Sequence, residues 1–203
     1  MTDRRDVQRA YDRIAEQFSE TRSAPWPEVE TFCGDREVAT AIDVGCGNGR
    51  HTELLAERAD RAVGIDASVE LLRIARERLP AASFLAGDAV RLPLADDATD
   101  LAIYVATLHH LPSRELRRRS LAELARVLDG VGLVSAWSVA HDRFDATEGF
   151  DTTVDWTLPD GTLVDRYYHI YDREEFDADL AASPLGVERS WLSSGNHYAI
   201  VTA

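Results

Sequence analysis

Three glycines and an acid stand together in Asp43-Val44-Gly45-Cys46-Gly47-Asn48-Gly49, between an apolar run and a helix-like one. Glycine lets the chain turn sharply, and without a Cβ the backbone can lie close against a ligand. The G-x-G-x-G spacing differs from the G-x-G-x-x-G of dinucleotide binders, whose pyrophosphate sits on a helix N-terminus. Two further carboxylates, Asp66 and Asp88, end the next two strand-like runs. Ligands of open α/β sheets bind at such carboxyl ends, although an aspartate there can also simply cap the next helix. A second constellation is Val105-Ala-Thr-Leu-His-His-Leu-Pro112, an apolar run that ends in two histidines. A metal site needs three or four ligands. Adjacent residues of an extended strand end point to opposite faces, so His109 and His110 cannot easily share one ion. With no cysteine or third histidine nearby in sequence, no metal is expected. The plain reading of His109 is a buried histidine bonded to backbone.

These residues need a scaffold, and the hydrophobic pattern supplies one. Val7, Tyr11, Ile14 and Phe18 recur at helical spacing, and Pro25 and Pro27 end that helix. Strand and helix patterns then alternate: strand 39–44, helix 50–59, strand 61–66, a helix capped by Ser68, strand 82–88, strand 100–108, a helix capped by Ser113, and strand 132–139. Segment 140–165 is acidic, breaks the rhythm, and reads as an inserted loop or short hairpin. Asp172 and Glu175 resemble a capping box before a helix carrying Phe176 and Leu180. Segments 187–192 and 197–201 read as a closing hairpin. The expectation is one α/β domain over 1–203, a doubly wound, seven-stranded Rossmann-like sheet, mostly parallel with an antiparallel last strand. Residues 1–35 would form an N-terminal helix and cap, and 140–170 an insert near the substrate site.

The 203 residues are 45% hydrophobic, enough for a proper core. The apolar runs are strand-sized, and the start lacks the apolar stretch of a signal peptide. Two cysteines, Cys33 and Cys46, make neither a disulfide framework nor a zinc site. A cytoplasmic protein with no membrane partner is expected. The net charge is −14, from 36 acidic and 22 basic residues, and every basic residue is arginine. Such a surface fits either a soluble acidic enzyme with a biased codon supply or adaptation to a salty cytoplasm, where repulsion is screened within about 3 Å at molar salt. The acidity does not exclude RNA, since high salt weakens phosphate contacts in any case.

The glycine spacing, with Asp66 and Asp88, resembles the nucleoside-binding loop of class I S-adenosylmethionine-dependent methyltransferases. The resemblance implies S-adenosylmethionine as cofactor and S-adenosylhomocysteine as product. It implies a cofactor site of Asp43, Gly45, Gly47, Gly49, Asp66, Ala67, Asp88, Ala89 and Val105, with Asp66 on the ribose hydroxyls and Asp88 on the adenine amino group. Segments 11–27, 43–50, 107–119, 135–144 and 165–171 together look like the tRNA wobble-uridine carboxymethyl methyltransferases, which esterify 5-carboxymethyluridine at position 34. Departures are Ser23 and Ala24 where that family tends to have an aromatic and a lysine, Leu111 where Trp is frequent, and Asp129–Gly132 in place of a Pro-Gly-Gly turn.

For that reaction the substrate carboxylate is already deprotonated, so no general base is required. A fixed donor must hold one oxygen while water is excluded. The resemblance offers His110, Arg22, Arg166 and His169 as catalytic candidates, and His109, Trp137, Tyr168 and Trp26 around the base. Arg114, Arg117, Arg118 and Arg119 could meet tRNA phosphates or simply face solvent. In this fold the third strand lies at a sheet edge, and segment 82–88 has no lysine, proline or charge before Gly87 to blunt it. The implied partners are tRNA and, along that edge, a small zinc-binding activator subunit, the alternative cover for the edge being the chain's own N-terminal segment. The alternatives are a small carboxylate, phenol or lipid-like acceptor, or a catalytically silent S-adenosylmethionine-binding subunit.

Overall fold

The alternating patterns close into a seven-stranded sheet in the computed structural model, which describes residues 2–203. Five strands run parallel: β1 (Val38–Val44), β2 (Ala59–Asp66), β3 (Ser83–Ala86), β4 (Thr99–Tyr104) and β5 (Leu128–Trp137). A second, two-stranded sheet is the hairpin of β6 (Phe150–Thr157) and β7 (Leu163–Ile170). The chain ends in β8 (Gly186–Ser193) and β9 (Asn196–Thr202). The order is β3-β2-β1-β4-β5-β9-β8, and β9 runs antiparallel to both its neighbours. Ser194 and Gly195, both at positive φ, make the two-residue turn that joins β8 to β9.

Six helices cover the sheet: α1 (Arg4–Thr21), α2 (Pro27–Cys33), α3 (Thr52–Ala56), α4 (Val69–Arg78), α5 (Arg114–Val127) and α6 (Arg173–Ala181). The period-2 alternation of β4 explains the two layers. Ala102 and Tyr104 meet Leu121 and Leu124 of α5 and Phe176 of α6 on one face. Leu101 and Ile103 meet Val29 and Phe32 of α2 and Leu55 of α3 on the other. Burying each such leucine or phenylalanine stabilises the fold by roughly 1.5–3 kcal/mol. No helix among the described residues is long and apolar enough to cross a membrane.

Several elements depart from the sequence reading. Helix 50–59 is only Thr52–Ala56, because the parallel ladder from Val38↔Ala59 onward claims the following residues for β2. Strand 82–88 shrinks to Ser83–Ala86, and its Phe84 is buried against Gly49 and Gly64 instead of facing a partner. The acidic insert holds a long hairpin in place of a loop. Asp172 caps α6 by accepting from the Glu175 amide, but the return bond is missing because the Glu175 carboxylate is held by His169 and Arg117.

Candidate active site

A cavity of about 590 Å³ opens at the carboxyl ends of β1, β2 and β4, where the strand order reverses. Gly45, Gly47, Asp66, Ala67, Asp88, Ala89, Val105 and His110 line it, as do Tyr11, Phe18 and Thr107. Gly45 sits at φ 75, and a Cβ there would lie 2.1 Å from Thr107 Oγ1. At Gly47, φ 54, a Cβ would meet only Phe18 at 3.8 Å, so the backbone is bare toward the cavity. Asp66 accepts from the amides of Gly47 and Ser68, each at 2.8 Å. Burial raises its pKa, against those backbone bonds. Its remaining lone pairs meet no cation among the described residues, which suits the hydroxyl donors of a ribose. The loop and this carboxylate therefore fit S-adenosylmethionine. Asp66→Ala is expected to weaken S-adenosylhomocysteine binding by about 2–3 kcal/mol, read by calorimetry.

Two expected cofactor residues stand behind the cavity wall. Gly49 packs against Ala75 and Phe84. Asp43, 2% exposed, accepts from the Thr52 hydroxyl at 2.7 Å. Burial pushes the Asp43 carboxyl up to about 7; the Thr52 bond opposes this and the Asp66 charge adds to it. An unfolded aspartate titrates near 3.9. Between those values the folded chain binds a proton that the unfolded chain releases, so this group's contribution to stability falls as pH rises from about 4 to about 7. Asp43→Asn should thus be more stable than wild type by about 1–3 kcal/mol at about pH 8, the gap closing toward about pH 4, in melts across pH. A gap constant with pH would show that Asp43 does not titrate there.

The histidine pair departs from its expected geometry. The strand ends at Tyr104, Ala106 turns at φ 54, and Leu108–His110 form a 3₁₀ turn. The two rings consequently lie 4.4 Å apart at 78° instead of on opposite faces. His109 is buried, and its Nδ1 accepts from the Trp137 amide at 3.0 Å. His110 Nδ1 faces the Tyr167 carbonyl at 3.0 Å, so that nitrogen carries the proton and Nε2 accepts from the Tyr11 hydroxyl at 2.8 Å. Burial brings the His110 pKa down to about 4, and both imidazoles are neutral at pH 7. Among the described residues no group of three His, Cys, Asp or Glu is placed to hold a metal.

Alternation along β7 divides its side chains between two sides. Arg166 and Tyr168 face α1 and the histidines. Tyr168 stacks on Trp137 at 4.6 Å and 16°, so a base can meet only an outer face of that pair. The Tyr168 hydroxyl is 3.4 Å from that of Tyr11 and accepts from Arg166 Nη1 at 2.7 Å. Arg166 is 8% exposed, its guanidinium 4.9 Å from the Trp156 ring centre, its Nε without a partner. No carboxylate among the described residues pairs with it.

On the other side, His169 lies between Asp151 Oδ1 at 2.7 Å and Glu175 Oε2 at 2.8 Å. With both nitrogens engaged it ties β6 to α6 and stands away from the cavity lining. Arg22 is exposed, and Trp26 donates its amide to His51 and lies under Arg50. The arginine-rich helix face is not free either: Arg114 and Arg118 hold Asp179, and Arg117 holds Glu175. Sequence reasoning missed the Tyr11 hydroxyl and Thr107. Tyr11 reads as one more apolar-stripe residue, and nothing local marks Thr107.

Residues 42–136 match the family model described as a methyltransferase domain. A putative methyltransferase of Encephalitozoon cuniculi is 33% identical over 180 residues, covering 84% of this chain and 82% of that one. A Saccharomyces cerevisiae protein named tRNA (carboxymethyluridine(34)-5-O)-methyltransferase is 36% identical over 163 residues, 75% of this chain and 57% of its own length. Of other relatives with that name the chain spans as little as 20%. Among solved structures, the putative methyltransferase in complex with the Haloferax volcanii Trm112 methyltransferase activator superposes with a TM-score of 0.69 at 16% identity, covering 100% of this chain and 99% of that one, a likeness of fold alone. A bare glycine loop, a carboxylate beside it with no cation partner among the described residues, and a methyltransferase relative matched over 82% of its length agree. The chain belongs to the class I S-adenosylmethionine-dependent methyltransferases, in the family that includes the tRNA carboxymethyluridine methyltransferases.

Proposed function

We propose that the chain methylates the carboxylate of 5-carboxymethyluridine at the wobble position of tRNA, giving the methyl ester. The observation that carries this reading is Arg166. A buried guanidinium with no acid beside it is costly unless an anion completes it. It lies two tyrosines behind the cavity, joined to it through Tyr168 and then Tyr11. A carboxylate on the substrate is the anion that this arrangement suits, and the names of the relatives support the same choice.

The cofactor supplies an electrophilic methyl on its sulfonium. The charge of Arg166, carried through the Tyr168 and Tyr11 hydroxyls, holds one carboxylate oxygen and leaves the other free to attack. Tyr168, Trp137 and Tyr11 exclude water, which otherwise blunts a carboxylate nucleophile. His110, neutral and with its tautomer set by the Tyr167 carbonyl, takes no proton and acts by position. The rate should accordingly be flat from about pH 5 to about pH 8. A limb with an apparent pKa inside that range would point to a titrating catalytic group.

The reading includes an activator subunit paired along β3. This edge strand bonds only β2, and Leu85 is half-buried, although Arg76 already donates to the Phe84 carbonyl. The complex of the Haloferax volcanii fold relative with its Trm112 activator supports such a partner. The test of function is transfer of labelled methyl from S-adenosylmethionine to total tRNA, followed by mild alkali. Release of labelled methanol is expected. Label that resists alkali would mean methylation on carbon or nitrogen, and absence of label would remove tRNA as substrate.

A further inference from the structure

A second groove, of about 410 Å³, lies on the α2 face of the sheet, apart from the cofactor cavity. Its floor follows from the register of β8 on β9. Trp191 pairs with Tyr198 and Arg189 with Ile200, so these four side chains share one sheet face. The short helix α2 packs Val29 and Phe32 over Tyr198 and leaves Trp191 and Ile200 half-buried. Two guanidiniums lie over aromatic rings in this groove. That of Arg36 stands 4.8 Å from the Phe32 ring centre and donates to the Phe32 carbonyl. That of Arg189 stands 5.0 Å from the Trp191 ring centre, and Trp191 itself stacks on Tyr198.

Neither arginine pairs with a carboxylate among the described residues, although Asp35 and Glu37 flank one and Glu188 precedes the other. The acid of the groove, Glu28, accepts from the Ser193 and Ser194 hydroxyls at 2.6 and 3.0 Å. Arginines on the helices behave differently: Arg73 holds Glu16, Arg78 holds Glu53 and Arg126 holds Asp96. A guanidinium backed by a ring keeps its edge donors free and loses little further freedom when an anion arrives. The groove also leads away from the active site. At one end Pro27 follows Trp26, whose ring lies under Arg50 of the cavity wall. Beside it Ser193 pairs with Asn196, which pairs with Trp137 at the end of β5. Arg189 lies further along β8, about 13 Å from that rim by strand rise. In a chain of net charge −14, two acid-free guanidiniums on a path out of the substrate site suit a polyanion that is already held there. We propose that the Arg36–Arg189 groove binds the phosphodiester backbone of the tRNA beside its wobble nucleotide. The proposal rests on the reading of tRNA as substrate.

Equilibrium binding of a tRNA carrying 5-carboxymethyluridine, with S-adenosylhomocysteine present and salt varied, tests the groove. Replacing both residues, Arg36→Gln with Arg189→Gln, should weaken tRNA about tenfold and flatten the slope of log affinity against log salt by about 1.5. In turnover KM for tRNA should rise by the same factor with kcat unchanged, because the contact is equal in ground and transition states. Affinity for S-adenosylhomocysteine should not move. Arg36 also ties the end of α2, so Arg189 alone decides if the double variant fails to fold: Arg189→Glu should lose more tRNA affinity than Arg189→Gln, and Arg189→Lys should keep the slope. A wild type that methylates tRNA while its affinity and slope ignore these substitutions overturns the groove and leaves the substrate reading standing. A fall in kcat at fixed KM also overturns it, as a disturbance of the active site. A wild type that binds no tRNA at any salt overturns both.

Discussion

Arg166→Gln is expected to lower kcat/KM on tRNA by about 10²–10³-fold, roughly 3–4 kcal/mol of transition-state binding. Glutamine keeps a donor and most of the length but removes the charge that would hold the substrate carboxylate. Affinity for S-adenosylhomocysteine should be unchanged, because Arg166 does not line the cofactor cavity. The thermal midpoint should hold or rise, since an unpaired buried charge leaves the core. A structural role would move these readouts the other way, with a fallen midpoint and weaker cofactor binding. Arg166→Lys keeps the charge but not the planar fork on Trp156, and should recover only part of the activity.

Gly45→Ala should lower stability and cofactor affinity together. The position has φ 75, which costs an L-residue about 1–2 kcal/mol. The new methyl would also lie 2.1 Å from Thr107 Oγ1 and 2.4 Å from Cγ2, an overlap worth about 1–3 kcal/mol more. For a chain of this size the sum predicts a midpoint lower by about 5–15 °C. The loop must shift to relieve the overlap, and that takes the backbone beside Gly47 out of register with Asp66; a loss of about 100-fold in S-adenosylhomocysteine affinity is expected. Thr107→Gly in the same chain should restore the packing share and leave the dihedral share. Strictly additive losses would show that the methyl points elsewhere.

The scaffold was legible where a local rule acts alone. The runs that became β1, β2, β4 and β5 follow from continuous apolar residues, and Asp66 from an acid at a strand end. What stayed hidden depends on residues distant in sequence or on rare dihedrals. Ala106 adopts a left-handed conformation with no glycine to announce it, and that turn sets the two histidines edge to face. Arg114, Arg117 and Arg118 look solvated or phosphate-ready until α6 brings Glu175 and Asp179 against them. His169 resembles a catalytic residue by motif, yet Asp151 and Glu175 claim both its nitrogens from two different elements. Phe84 reads as an exposed edge aromatic until Gly49 and Gly64 make room for its ring.

The place of β9 also orders events during synthesis. The strand formed by residues 196–202, made after β8, lies between β5 and β8 and not at a margin. Until residues 196–202 emerge, β5 presents an open row of backbone donors and acceptors beside a finished parallel half. The nascent chain therefore spends the translation of some sixty residues after Trp137 as a sheet with a sticky flank. The β6–β7 hairpin, whose pairing is local, can form in that interval. Closure of the sheet has to wait until residues 196–202 have left the ribosome.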